Sequence, residues 1–162
     1  MAHYSPEIFA ASDRDLLEQM LDTQRAEIAA LLADVSEEEA RARLVPSLTT
    51  LLGLVKHAAY VERIWFGHRI GGHSLADLGA PPTIDASFTL DNGDTIAAVL
   101  TDFEAACGES RLVAAEHGLA EVFAWRKGPV SLGFIYAHLI QEYARHCGHG
   151  DIVREQLMAQ RA

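Results

Sequence analysis

The chain is short of cysteine, of positive charge and of long apolar runs, and each shortage removes a class of protein. Only Cys107 and Cys147 occur in 162 residues, far apart in sequence. Two separated thiols make no disulfide framework. Lysine and arginine total 13 against 23 acidic residues, giving a formal net charge of −10. So acidic a surface is repelled by a phosphate backbone. The richest basic cluster, around Arg41 and Arg43, is itself preceded by Glu37, Glu38 and Glu39, so no nucleic-acid partner is expected. The longest apolar stretch, Leu51 to Val55, falls far below the ~20 residues a bilayer-spanning helix needs. The start, Met1-Ala-His-Tyr-Ser-Pro, has neither the basic region nor the apolar core of a secretory signal. The expectation is a soluble, cytoplasmic chain with no membrane partner. Strand alternation, internal repeats and low-complexity tracts are also missing. So are a Gly-rich phosphate loop, a Ser–His–Asp arrangement and a Cys-x-x-Cys motif.

What is present is ordinary globular composition, 49% hydrophobic and 22% charged, in a length that suits one domain over residues 1–162. The pattern is helical almost throughout. Ser12 caps a first helix with Asp13 and Asp15 in its first turn, and apolar residues from Leu16 to Val35 recur at helical spacing. Ser36 and the three glutamates after it start a short helical piece that Pro46 stops. Ser47 or Thr49 then opens a long helix over about Thr50–Ile70, closed by Gly71 and Gly72. Residues 73 to 92 form the one long irregular segment, the kind that serves as a lid or crossover. A third long helix covers about Thr95–Glu116. A second connector runs from Ala120 to Pro129, and a last helix from Ser131 to about Met158. The connectors have room for one short strand pair. Four long helices with one extended connection predict an all-α, antiparallel four-helix bundle with one long crossover.

The chemistry gathers on the last helix. His138, Glu142 and His146 are spaced four apart and His149 follows three later, so all four fall within an arc of about 80° on one helix face. Ile135, Leu139 and Val153 lie on or beside that arc, which predicts a polar stripe along the buried face. Ionisable groups are rarely buried unless paired or ligated. The bland alternative is a hydrogen-bonded His/Glu network. The sharper reading is a divalent cation, since Glu and His at i and i+4 can reach one ion in a bundle core. A third ligand is expected from His57, which shares its helix face with Leu54, Val61, Ile64 and Trp65. A lone core His is usually just hydrogen-bonded, but one facing a Glu–His pair is a ligand candidate. His57, Glu142 and His146 would leave coordination positions open, as a catalytic site does. The donor set suits zinc, iron, nickel or manganese and does not by itself choose among them; zinc is the ion expected. Glu62 faces away from His57 and reads as a surface or interface group. Cys107 reads as a small buried hydrophobe, Cys147 points away from the ligand face, and Tyr60 and Tyr143 are placed as flanking the site.

The segments Arg43-Leu-Val-Pro-Ser-Leu-Thr-Thr-Leu-Leu-Gly-Leu-Val-Lys-His-Ala-Ala-Tyr-Val-Glu-Arg-Ile-Trp-Phe and Glu142-Tyr-Ala-Arg-His-Cys-Gly-His-Gly-Asp resemble the DinB-like superfamily, in an uncharacterised actinobacterial-type branch. The resemblance follows the whole chain in helix order. It implies an up-down-down-up bundle, a homodimer, and a metal triad falling on His57, Glu142 and His146. Glu followed by His on the last helix is the pattern of the mycothiol-dependent maleylpyruvate isomerase branch, where many other members carry two histidines. Gly148-His149 stands where the family often has Gly-Gln. His149 is therefore a departure, open to a role as fourth ligand, proton shuttle or partner of a ligand. The resemblance further implies a low-molecular-weight thiol such as mycothiol or bacillithiol, bound as thiolate and used in an S-transferase or isomerase reaction. On that reading His149 and Arg145 are catalytic candidates, and His138, Arg126 and Trp65 are substrate-binding candidates. Arg126 and Arg145 are each equally compatible with a solvated surface. Two other readings stay open: a metal-dependent hydrolase with Glu142 or His149 as base, and a non-catalytic metal- or ligand-binding stress protein.

Overall fold

The computed structural model describes residues 6–161. After a 3₁₀ turn at Pro6–Ala10, helix α1 spans Asp13–Ala30, α2 Glu37–Arg41, and α3 Leu51–Glu62. A π-helical segment, Arg63–Ile70, continues α3; α4 is Ile84–Phe88, α5 Ile96–Ala115, and α6 Leu132–Arg161. Strands β1 (Val122–Phe123) and β2 (Val130–Ser131) pair antiparallel in the last connector. The helix starts are set by side-chain caps: Ser12, Thr50 and Thr95 each accept from a backbone N–H three residues on. Ser36 and Glu39 complete a reciprocal capping box on α2. For α3 the cap is Thr50 itself rather than Ser47 or Thr49. The first helix ends five residues before Val35, in a turn where Asp34 takes a left-handed φ of 57°.

Cross-helix bonds fix the direction of each helix. Tyr136 Oη lies 3.1 Å from Glu18 near the starts of α6 and α1, and Arg154 donates to the Leu31 carbonyl near their ends. These two helices therefore run parallel. Lys56 pairs with Asp94 and Arg63 with Asp102, so α3 and α5 also run parallel. Between the pairs the sense reverses. Arg14, at the start of α1, donates to Ala114 O at the end of α5. His57 meets His146 while Trp65 meets His138 across α3 and α6. The result is an all-α bundle in up-down-down-up order. Two consecutive parallel helices require a connection that travels back along the bundle, and residues 71–95 provide it. No helix among the described residues is long and apolar enough to cross a membrane.

The core is aliphatic and aromatic, with Leu21, Ile28, Leu51, Leu52, Leu54, Phe66, Leu132, Ile135 and Leu139 fully buried. One charged group sits among them. Glu62, expected at the surface, is 0% exposed. It takes two hydrogen bonds from Arg25, at 2.8 and 2.7 Å, and the Tyr143 hydroxyl lies 2.9 Å from it. The correction has a simple cause: the neutralising partner is on α1, 37 residues away, and no periodicity within α3 reveals it. Tyr143 likewise turns into this network rather than toward the site.

Candidate metal centre

The buried face of α3 carries His57 into the bundle, where it is 4% exposed. Its ring stacks on Phe88 with centroids 4.0 Å apart and planes 15° from parallel. Its Nδ1 lies 2.7 Å from Ser87 Oγ. The single hydroxyl proton of Ser87 goes to the carbonyl of Ile84, so Oγ is left to accept, and the proton of the imidazole must sit on Nδ1. The Nε2 lone pair is then presented, with its tautomer and ring orientation fixed by a neighbour as in metal-ligating histidines. Ser87 and Phe88 both belong to α4, the five-residue helix hidden in the long connector and opened by the Thr83 cap. Gly53 makes this approach possible: a Cβ there would stand 3.1 Å from the Phe88 carbonyl and 2.9 Å from Thr50 Oγ1.

One turn apart on α6, Glu142 and His146 face this ring. Glu142 Oε1 is 3.2 Å from His146 Nε2, and Arg145 reaches the other carboxylate oxygen at 3.4 Å. His146 Nδ1 is buried with no hydrogen-bond partner among the described residues. The rings of His57 and His146 are 5.0 Å apart. One donor atom from each of His57, Glu142 and His146 lies within 4.8 Å of the other two. An oriented Nε2, an orphaned imidazole nitrogen and a carboxylate together form a donor set that fits a divalent ion with open positions.

The protonation states agree with that fit. Burial, reinforced by the proximity of His146, pushes the pKa of His57 down to about 4 against the pull of Glu142, so the ring is neutral at pH 7. The hydrogen bond from His146 keeps Glu142 below the usual carboxylate range despite burial. Burial lowers His138 as well. Both cysteines go the other way. Burial pushes Cys107 and Cys147 up to about 12, so neither is a thiolate at neutral pH.

The depressed His57 pKa carries a stability consequence. The unfolded chain binds a proton at this ring near pH 6.5 and the folded chain only near pH 4. The stabilisation is therefore complete above pH 6.5 and is lost as pH falls toward 4, an effect of roughly 3 kcal/mol in the metal-free protein. Urea unfolding of metal-free protein at pH 7 and pH 4.5 measures it. A His57→Gln variant is expected to lose less stability across that interval than the native chain.

A pocket of about 320 Å³ opens beside these groups, lined by His57, Glu142, His138, Trp65, Trp125 and Arg126 among others. Three expected substrate-binding residues, His138, Arg126 and Trp65, thus share one cavity with two of the expected ligands. The expected catalytic pair is placed differently. Arg145 is exposed and paired with Glu142. His149 is exposed, its ring 5.8 Å from His146, and lines a separate apolar groove with Ile152 and Val153. The polar stripe of α6 therefore follows the edge of the buried face rather than its centre, which is held by Ile135, Leu139, Tyr143 and Val153.

Arg69 is a pocket residue that the sequence pattern did not mark. It lies over the Trp65 ring at 4.4 Å and the Trp125 ring at 5.3 Å. The i, i+4 spacing from Trp65 was the available signal. Its placement depends on the π register after Glu62, where Gly71 N–H bonds Phe66 O five residues back. His68, by contrast, is exposed and bonds the His73 carbonyl.

The sequence matches the family model described as mycothiol-S-transferase over residues 16–159. Comparison with curated proteins gives no significant match.

Proposed function

Because the chain belongs to the mycothiol-S-transferase family, within the DinB-like superfamily, we propose that it is a metal-dependent enzyme that joins a low-molecular-weight thiol, mycothiol, to an electrophile. The observation that carries this reading is the convergence of His57, Glu142 and His146 at the wall of an open pocket. A divalent ion held there by His57, Glu142 and His146, which we take to be zinc, would stabilise the thiol as thiolate at neutral pH.

The remaining work belongs to the chain. Ser87 holds the His57 ring in the tautomer that offers Nε2. His138 stands between Phe134 and Trp65, with ring centroids at 5.8 and 4.8 Å. Burial lowers its pKa, which favours the neutral ring, and its place on the pocket wall makes it the pocket's candidate proton acceptor. Trp65 and Trp125, 5.5 Å apart, wall the cavity and limit water. Cys107 and Cys147, both held as thiols, leave the nucleophile to the small molecule.

The test is conjugation of mycothiol to 1-chloro-2,4-dinitrobenzene by zinc-loaded protein, followed by absorbance. Turnover above the uncatalysed rate that disappears on chelation supports the reading. A protein that holds zinc yet conjugates no thiol refutes the transferase assignment. A finer prediction concerns Ser87. Ser87→Ala is expected to weaken zinc binding by about 10- to 100-fold, the usual effect of removing a partner behind a ligand, with little change in melting temperature. Competition against a chromogenic chelator measures it.

A further inference from the structure

The distribution of positive charge in this acidic chain is uneven in an informative way. Nearly every basic side chain holds a carboxylate or a backbone carbonyl. Arg69, Arg126 and Lys127 alone hold neither among the described residues, and all three gather around Trp125. Arg69 and Lys127 stand over its ring at 5.3 and 5.2 Å. Arg126 lines the same pocket as Arg69 and is near enough that its charge, added to burial, lowers the pKa of Arg69. The hairpin between β1 and β2 presents Trp125, Arg126 and Lys127, and Arg69 meets them from the π-helical segment Arg63–Ile70; the hairpin turns at Gly128, with φ of 120°, and Gly128 N–H bonds the Trp125 carbonyl.

Two donors at this end of the pocket are buried and unused. Arg69 Nε and Trp125 Nε1 have no hydrogen-bond partner among the described residues. Buried donors are normally satisfied, and each orphan calls for an explanation. Both orphans are N–H donors of side chains that line one cavity and lie against each other, Arg69 over the Trp125 ring at 5.3 Å, where cations without a counter-ion face aromatic rings. A ligand oxygen carrying negative charge satisfies all of these conditions at once.

We propose that the Arg69–Trp125 end of the pocket is an anion subsite that takes a carboxylate on the electrophilic substrate. This rests on the thiol-transferase reading for the role of the ligand, though not for its binding. Mycothiol is a cysteinyl sugar conjugate without a carboxylate, so the charge belongs to the second substrate. The subsite and the metal ligands line the same cavity. A substrate whose carboxylate sits at the Arg69–Trp125 end would therefore extend its other end along the cavity toward His57 and Glu142.

The only two tryptophans of the chain, Trp65 and Trp125, both line this pocket, so intrinsic fluorescence reports on it directly. In metal-free protein, benzoate is expected to shift the emission saturably and to bind about tenfold more tightly than benzamide, which has the same shape without the charge. Arg69→Met is expected to remove that preference and Arg69→Lys to restore part of it. Trp125→Phe keeps the ring and deletes the N–H, and weakens benzoate through Trp65 emission. Equal binding of benzoate and benzamide overturns the proposal. So does a benzoate titration unchanged in both Arg69→Met and Trp125→Phe.

A second arm uses zinc-loaded protein, mycothiol, and the pair 4-chloro-3-nitrobenzoate and 4-chloro-3-nitrobenzamide. In each the thiolate sulfur forms the C–S bond, chloride leaves with the C–Cl bonding pair, and the thiol proton passes to base or solvent. With each value divided by that compound's uncatalysed rate, since the amide activates the ring more than the carboxylate does, the carboxylate is expected to be favoured about tenfold in kcat/KM. Equal values after that division sink the subsite and leave the transferase standing. Failure of conjugation beside selective benzoate binding sinks the transferase and leaves the subsite.

Discussion

His57→Ala is expected to purify with background metal under dialysis conditions in which the native chain retains about one divalent ion per chain. The substitution deletes the one donor that α3 contributes, leaving Glu142 and His146 on a single helix. Losing a partner behind a ligand costs about 10- to 100-fold in affinity, and losing the ligand itself is expected to exceed the upper end of that range. Conjugation activity should fall with occupancy, because thiolate formation depends on the ion. Elemental analysis of both proteins decides the matter, and a parallel melting curve separates loss of metal from loss of fold. A native chain that is empty and refuses zinc, nickel and manganese would reduce the three groups to a hydrogen-bonded cluster, and the enzyme reading would fall with it. Glu142→Gln refines the test. It keeps a hydrogen-bonding side chain beside His146 but removes the anionic donor, so a metal site loses affinity where a plain hydrogen-bonded cluster would tolerate it.

Much of this architecture is readable from local pattern. Ser12 and Ser36 cap their helices as expected, because a cap is a local interaction across three residues. Glu142 and His146 at i, i+4 share a helix edge for the same reason. His57 joins them because both helices bury the faces that carry these residues. Long-range features behave differently. Glu62 looks solvent-bound on its own helix and is buried only because Arg25 crosses from α1. Ser87 reaches His57 from a five-residue helix inside a segment read as irregular. Thr83 was a fair cap signal for that helix, but nothing local announces its partner 30 residues earlier. The π register of Arg63–Ile70 escapes periodicity altogether. Apolar spacing averages over a helix, while a change to i→i+5 bonding alters which few residues face a pocket. The result is that the three candidate donors could be brought together from local pattern, whereas Arg69 on the pocket wall could not.

The largest expected effect on stability lies in the buried ion pair, away from the ligands. Glu62→Ala leaves the Arg25 guanidinium buried without its main counter-ion. Burial opposes the charge on Arg25, and the hydrogen bonds and charge of Glu62 outweigh it, holding the pKa above the normal arginine value. Asp22, which also bonds Arg25, is half-exposed and shared with Arg111, so it replaces little of that. Breaking a buried pair from one side costs about 3–5 kcal/mol, which for a chain of this size lowers the melting temperature by roughly 6–20 °C. The half-exposed pair of Arg63 and Asp102 gives the contrast: Asp102→Asn is expected to cost under about 1 kcal/mol. Replacing both buried partners, Arg25→Met with Glu62→Leu, should recover most of the loss, since no charge is then stranded. The pair also bears on the site. Glu62 lies five residues beyond His57 on α3 and meets Tyr143, which lies between Glu142 and His146 on α6. The same contact that stabilises the core therefore sets the register between the two ligand-bearing helices. On this argument the double replacement regains its melting temperature but binds zinc more weakly than the native chain, because of the bonds that Tyr143 makes to α3 only the one to the Ala58 carbonyl remains. Zinc affinity equal to native in that variant would mean that apolar packing alone aligns His57 with Glu142 and His146.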